Sequence, residues 1–191
     1  LPIPLPSRER GTLQQEGKQM AAKTSLAMVN MMSAAAFSAV FGRVFEHSPW
    51  IAERALARRP FASRSAMHKA MCEVVEQASR DEQIALLCAH PALAGKEAQS
   101  GSPTPESTNE QLKAGLNALS KDEMARIVRL NRAHAAKFGF PFIIAARLNS
   151  KDRIFAELER RNRLDVDAEL RACIEQVYLI TQLRIDDLIE D

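Results

Sequence analysis

The stretch Asp81-Glu82-Gln83-Ile84-Ala85-Leu86-Leu87-Cys88-Ala89-His90-Pro91-Ala92-Leu93-Ala94-Gly95 decides the fold class of this chain. Acidic residues open it, as suits the positive end of a helix. An apolar run through Ile84, Leu87 and Cys88 carries it. Pro91 ends it, because the residue before a proline is pushed out of the α region. What remains is a titratable imidazole, His90, at a helix stop, with Gly95 soon after. By itself this reads as a helix terminus with a surface or capping histidine, whose charged form the C-terminal dipole favours.

The same start, run and stop recur on either side. Ser48-Pro49 before Trp50-Ile51-Ala52-Glu53-Arg54-Ala55-Leu56 gives an N-cap serine and a proline at the first helical position, and Pro60 stops that segment. Ser63 or Ser65 caps a run with Met67, Met71, Val74, Val75 and Ala78 at helical spacing. Ser107-Thr108-Asn109-Glu110 and Ser120-Lys121-Asp122-Glu123 both fit a capping box. They open helices carrying Leu112, Leu116 and Leu119, then Met124, Ile127, Val128 and Leu130. Residues 138–146, Phe-Gly-Phe-Pro-Phe-Ile-Ile-Ala-Ala, break the rhythm, as a short extended segment or as a helix beginning after Pro141. Helices over 151 to about 163 and 168 to about 189 complete the chain. With no alternating strand series, the expected fold is all-α: a single compact domain of roughly seven to nine helices over residues 25–191. Residues 1–24, opened by Leu-Pro-Ile-Pro-Leu-Pro, are expected to be a disordered or extended N-terminal extension. Residues 95–106 form a loop long enough to suggest function.

Composition narrows the function classes. The 191 residues suffice for one domain with a full core. A net charge of +2 gives no strong field toward nucleic acid or a lipid surface, and the apolar runs are far short of a membrane span. The basic run Arg160-Arg161-Asn162-Arg163 follows Glu157 and Glu159 at the spacing of exposed helix ion pairs, so it reads as a solvated face. Cys72, Cys88 and Cys173 are far apart and odd in number, which fits a reducing compartment. His68 and Cys72 lie one turn apart, but two ligands do not make a metal site. With no secretory signal, and no Ser-Lys-Leu at Ile189-Glu190-Asp191, the cytoplasm is the expected location.

Familiar catalytic signatures are missing: there is no phosphate-binding glycine loop, G-x-S-x-G elbow, H-E-x-x-H or Rossmann fingerprint. Individual residues in odd places remain. At about 100° per residue, Leu170, Cys173, Val177, Ile180, Thr181, Arg184 and Leu188 share one side of the last helix. Arg184 therefore interrupts an apolar face. An unpaired buried guanidinium costs several kcal/mol, so Arg184 snorkels, joins a structural ion pair, or clamps an anion or carbonyl. Glu110 is accounted for by the third position of its capping box.

Four stretches taken together change this reading: Phe45-Glu46-His47-Ser48-Pro49-Trp50; His90-Pro91-Ala92-Leu93-Ala94-Gly95; Ser107-Thr108-Asn109-Glu110-Gln111 with Ala114-Gly115-Leu116; and Phe138-Gly139-Phe140-Pro141-Phe142-Ile143. In order and spacing the chain from about Ser25 to Leu188 resembles the OHCU decarboxylases, which act on 2-oxo-4-hydroxy-4-carboxy-5-ureidoimidazoline (OHCU). It departs where the family usually has Asp (Ala92) and Tyr (His134), neither a position assigned to chemistry. The resemblance implies an all-helical, cofactor-free enzyme of urate breakdown, without a metal and usually a homodimer, converting OHCU to (S)-allantoin and carbon dioxide. It implies His90 as catalytic acid/base, Glu110 as its acidic partner and Arg184 as a clamp on carboxylate or carbonyl oxygen. Pro91, Ser107, Gln111, Phe142, Ile143, Ile144, Ala145 and Ala146 would line the substrate, backbone groups reading its urea-like edges. Two other readings stay open: a helical relative acting on another ureido-acid, and a helical binding module without chemistry.

Overall fold

In a computed structural model, residues 23–94 and 104–190 are described. Nine α-helices account for most of them: α1 (Leu26–Met31), α2 (Ala34–Phe41), α3 (Pro49–Ala55), α4 (Arg64–Glu76), α5 (Arg80–Cys88), α6 (Pro105–Lys113), α7 (Lys121–Phe138), α8 (Lys151–Arg161) and α9 (Val166–Leu188). The all-α expectation holds. One addition is a two-residue parallel pairing of β1 (Thr24–Ser25) with β2 (Ile189–Glu190), which ties the start of the described chain to the end of α9. Most of the expected 1–24 extension, and Gly95 to Pro103 of the expected loop, lie outside the described residues.

Local chemistry starts and stops these helices much as the sequence suggests. Ser63, not Ser65, caps α4. Ser120 and Glu123 form the expected capping box on α7, and α7 ends at Gly139 with φ +80°, a left-handed C-cap. Ser48 precedes Pro49 at the start of α3, but its hydroxyl donates to the Glu46 carbonyl instead of accepting from the helix.

Three expectations are corrected. Helix α6 begins earlier than the Ser107 box predicts: Thr104 is the cap, accepting from Ser107 N–H, and Pro105 is the first helical residue. Glu110 is therefore a mid-helix residue and not a capping-box acid. The Arg160–Arg163 run is not wholly solvated. Arg160 pairs with Glu157 on the surface, but Arg161 points inward and is 2% exposed, because α9 supplies a buried carboxylate, Glu169, at 2.6 Å. His90 is not at the surface: it is 7% exposed, since residues of α6 and of the 142–146 segment close around it. His68 and Cys72 pack against α9, with His68 Nε2 2.9 Å from Thr181 Oγ1. Burial pushes the Cys72 thiol up to about 12.

Two apolar clusters form the interior. The larger is built mainly from α2, α3, α4, α5 and α9; the smaller from Leu93, Leu116, Ile127, Ile154, Phe155 and Leu158, largely on α7 and α8. The segment after Gly139 runs extended between them. Ile143 and Ala145 face the larger cluster, while Phe142, Ile144 and Ala146 face the smaller. That period-two alternation between two cores is why the helical rhythm fails at this point, and it resolves the open choice in favour of the extended form. Among the described residues no helix is long and apolar enough to cross a membrane.

Gly139→Ala tests how far α7 depends on its left-handed stop. A Cβ there meets nothing within 4 Å, so the cost is backbone strain alone, about 1 kcal/mol. Denaturant unfolding is expected to show a lower midpoint at unchanged slope; an unchanged midpoint would remove the turn from the determinants of the fold.

Candidate active site

Helix α9 carries Arg184 on its buried face, 4% exposed. A guanidinium offers five N–H donors, and each has an acceptor here. Nε donates to Glu110 Oε1 at 2.9 Å and Nη2 to Glu110 Oε2 at 2.8 Å, a bidentate pair. Nη2 also donates to Ser107 Oγ at 2.9 Å. Nη1 donates to Glu46 Oε2 at 3.0 Å and to the Val44 carbonyl at 3.2 Å. Burial works against the charge, but the bonds and charges of Glu110 and Glu46 outweigh it and raise the guanidinium above its ordinary pKa. A substrate oxygen can reach Arg184 only by displacing one of these acceptors.

Glu46 is the residue that sequence reasoning missed. It lies in the connection between α2 and α3, beside His47 with φ +47°, and is fully buried. Its carboxylate accepts from Thr104 N–H and Thr104 Oγ1, each at 2.9 Å, from Ser107 Oγ at 2.7 Å and from Arg184. It thus sits at the N-terminus of α6, where the helix dipole also favours an anion. Burial alone would raise this carboxyl; the hydrogen bonds from Ser107 and Thr104 and the Arg184 charge override it and hold the pKa below the ordinary 4.5. The available signal was Glu46 within Phe45-Glu46-His47-Ser48-Pro49: an acid between an apolar residue and a helix start. It reads as loop polarity until α6 is placed against it.

His90 follows α5, whose end supplies its first partner. Its Nδ1 lies 3.0 Å from the Leu86 carbonyl. A carbonyl only accepts, so Nδ1 carries the proton and Nε2 presents a lone pair. That Nε2 is buried and has no hydrogen-bond partner among the described residues. Burial pushes the ring pKa down to about 4, reinforced by Arg184 and His47 and only partly opposed by the Leu86 bond and the Glu46 charge. The dipole effect expected from the sequence is the weaker influence, and the ring is neutral at physiological pH.

A cavity of about 30 Å³ brings the expected residues together. His90, Pro91, Ser107, Glu110, Gln111, Phe142, Ile143, Ile144, Ala146 and Arg184 all line it, with Leu93 and Ile180 in addition. Ala145 does not. It faces the other core, and its N–H donates to Gln176 Oε1 at 3.0 Å. Gln111 is partly engaged: its Oε1 accepts from Ala94 N–H at 2.9 Å, leaving the amide N–H groups for a ligand. The space is small, with room for about one or two water molecules. A second opening of about 180 Å³ lies against the opposite side of Glu110 and Arg184. It contains no imidazole, and its Arg147 and Arg43 are paired with Asp187 and Glu106. The smaller cavity, with the free Nε2, is where proton transfer can occur.

The chain is similar to several known proteins over most of its length. A profile of the family described as OHCU decarboxylase matches residues 30–186. A 2-oxo-4-hydroxy-4-carboxy-5-ureidoimidazoline decarboxylase from Haloferax volcanii is 38% identical over 161 residues, which cover 84% of this chain and 94% of the relative. The protein of the same name from Mus musculus is 37% identical over 161 residues, 84% of this chain and 90% of its own. A crystal structure of (S)-allantoin synthase matches with a TM-score of 0.70 at 27% identity, over 87% of this chain and 54% of that one. Another, of OHCU decarboxylase in the presence of (S)-allantoin, has a TM-score of 0.62 at 20% identity and supports the fold alone.

Glu46→Gln is expected to destabilise the protein at neutral pH by about 3 kcal/mol, the scale of losing one partner of a buried pair. A carboxyl whose folded pKa lies below its unfolded value contributes stability above the unfolded value and loses it as pH falls through the folded one. The gap between wild type and variant therefore narrows below about pH 4.5. Denaturant midpoints measured from neutral pH downward check this, and a gap that stays constant would remove the charge-dependent role.

Proposed function

Because the chain belongs to the OHCU decarboxylase family, we propose that it decarboxylates OHCU and releases (S)-allantoin in urate breakdown, with His90 as the proton carrier. The observation that carries this reading is the buried, unprotonated and unpartnered Nε2 of His90 facing a cavity that also holds Glu110. Buried acceptors without partners are rare, and a neutral imidazole in that position is a base awaiting a donor.

The chemistry follows from the substrate. The bond between ring carbon and carboxylate breaks, carbon dioxide leaves, and the electron pair moves into the adjacent C=N of the imidazoline. The resulting enol must become a ketone. The ring nitrogen takes one proton from solvent, His90 Nε2 takes the hydroxyl proton, and the His90–Glu110 pair returns one proton to a single face of the ureido-bearing carbon, so the pair ends in its starting protonation state. Glu110, held bidentate by Arg184, is the second group able to hold or move a proton beside His90. Arg184 fixes Glu110 and Ser107, and clamps a substrate oxygen if it exchanges one protein acceptor for it. The N–H and C=O of Ile144 have no hydrogen-bond partner among the described residues. They offer a donor and an acceptor to a ureido group, next to the free amide N–H groups of Gln111. A homodimer in the cytoplasm is the setting that the family resemblance implies; sedimentation of the purified chain reads the oligomeric state.

OHCU generated in situ from urate is expected to disappear faster with the protein present and to yield one enantiomer of allantoin, whereas spontaneous decay gives a racemate. His90→Asn is expected to lower turnover by about 10²–10⁴-fold with the fold retained by circular dichroism. Near wild-type turnover in that variant sinks the assignment. Because burial lowers the His90 pKa to about 4, the base persists well below neutrality. The acid limb of kcat/KM is expected near that value, and a limb near 6.5 would place a solvated histidine in the role.

A further inference from the structure

Behind the cavity wall lies a second buried charge cluster that the proposed chemistry does not use. Arg161 of α8 donates from Nε to both oxygens of Glu169 on α9, at 3.1 and 3.0 Å, and from Nη2 to Oε1 at 2.6 Å. His134 of α7 reaches the same Oε1 through Nε2 at 2.8 Å. His134, Glu169 and Cys173 bring possible ligand atoms within 4.8 Å of one another, but the Arg161 guanidinium already occupies the group, donating to Glu169 and, at 3.0 Å, to the Cys173 sulfur. Burial pushes that thiol up to about 12. A second cation has no place there.

Apart from the His134 ring packing on Phe138 of its own helix, the remaining side-chain contacts of the cluster reach one piece of chain. Arg161 Nη1 donates to the Ile143 carbonyl at 2.8 Å, and its guanidinium carbon lies 4.4 Å from the centre of the Phe142 ring. His134 Nδ1 is 3.2 Å from the Phe140 carbonyl, and its ring is edge-on to Phe142 at 5.6 Å. Phe142, Ile143, Ile144 and Ala146 line the cavity, and residues 141–145 have no regular secondary structure to hold them, a 3₁₀ turn beginning only at Ala146. We propose that Arg161, seated by Glu169 and His134, is a positioning residue: by gripping the Ile143 carbonyl and the Phe142 ring from behind, it sets where the Ile143–Ile144 backbone meets the substrate. The cluster acts on binding and leaves proton transfer to His90 on the facing wall. An extended segment between two apolar cores can slide along its own axis. A guanidinium with a fixed fork geometry, anchored to two helices, prevents that.

The activity arm of the test rests on the function proposed above; the exchange arm does not. An Arg161→Met/Glu169→Met double variant fills similar volume with apolar groups, a replacement of buried ion pairs that often preserves the fold. It removes the grip on Ile143. The expected result is a KM raised by about tenfold or more, the scale of a small misplacement, with kcat within about threefold and the acid limb of the pH profile unmoved. Exchange of the Ala145 amide is expected to quicken by at least about tenfold. Arg161→Lys, which keeps a cation beside Glu169 but not the fork, is expected to change both in the same direction by less. Wild-type KM and wild-type Ala145 exchange in a folded double variant would overturn the proposal, as would a fall in kcat at unchanged KM. If the double variant does not fold, the lysine variant decides by the same two readings. If neither folds, the pair is a stability element and the proposal fails. Loss of OHCU turnover in the wild type itself would instead overturn the function, while the Ala145 exchange still reads the positioning role.

Discussion

The arrangement around His90 depends on one guanidinium with all five donors satisfied. Arg184 draws acceptors from the α2–α3 connection, Val44 and Glu46, and from α6, Ser107 and Glu110. It thereby ties two parts of the chain that are distant in sequence to one point on α9. Two carboxyl groups converge on a single cation, and the N-terminus of α6 helps to balance the surplus at Glu46. With any donor or acceptor removed, a buried polar group is left without a partner, which costs more than the bond itself contributes.

That constraint explains why the site is polar in its walls and apolar in its shape. Helix α6 is held at its start by Glu46 and in its middle by Arg184, which leaves Glu110 little freedom beside the cavity. The imidazole is held separately, by the Leu86 carbonyl in the last turn of α5, the helix it follows. Burial then leaves the ring unprotonated at neutral pH, with the Nε2 lone pair in the cavity. Behind the Phe142–Ile144 wall a second ionic cluster, Arg161, Glu169 and His134, holds an extended segment that has no helix hydrogen bonds to fix it. One buried charge network therefore carries the candidate chemistry in the cavity, and the other shapes its wall from outside.

Much of the helical plan could be read directly from the chain. Ser120 with Glu123, Ser63, Pro49, Pro91 and Gly139 act through their nearest neighbours, and such local effects survive into the fold. Arg184 was visible as an anomaly because helical periodicity put a charge in an apolar face. Glu110 was misread because two serviceable caps lie three residues apart: Thr104 with Pro105 competes with Ser107, and the earlier one prevails where Glu46 binds Thr104 and Ser107 together. Arg161 was misread for a similar reason, since i,i+4 spacing to Glu157 describes an exposed pair equally well. Its real partner, Glu169, is on another helix.

The sequence by itself determined the all-α class, most of the caps and stops, and the family to which the chain belongs, because these rest on short-range spacing and on ordered motifs. Tertiary structure alone decided that Glu46 joins the site, that Ala145 turns away from it, and that His90 is buried with a neutral ring. Each of these depends on what lies across the core. A carboxylate or an imidazole has no settled charge or partner until packing removes water from it, and that removal involves residues up to 140 positions apart.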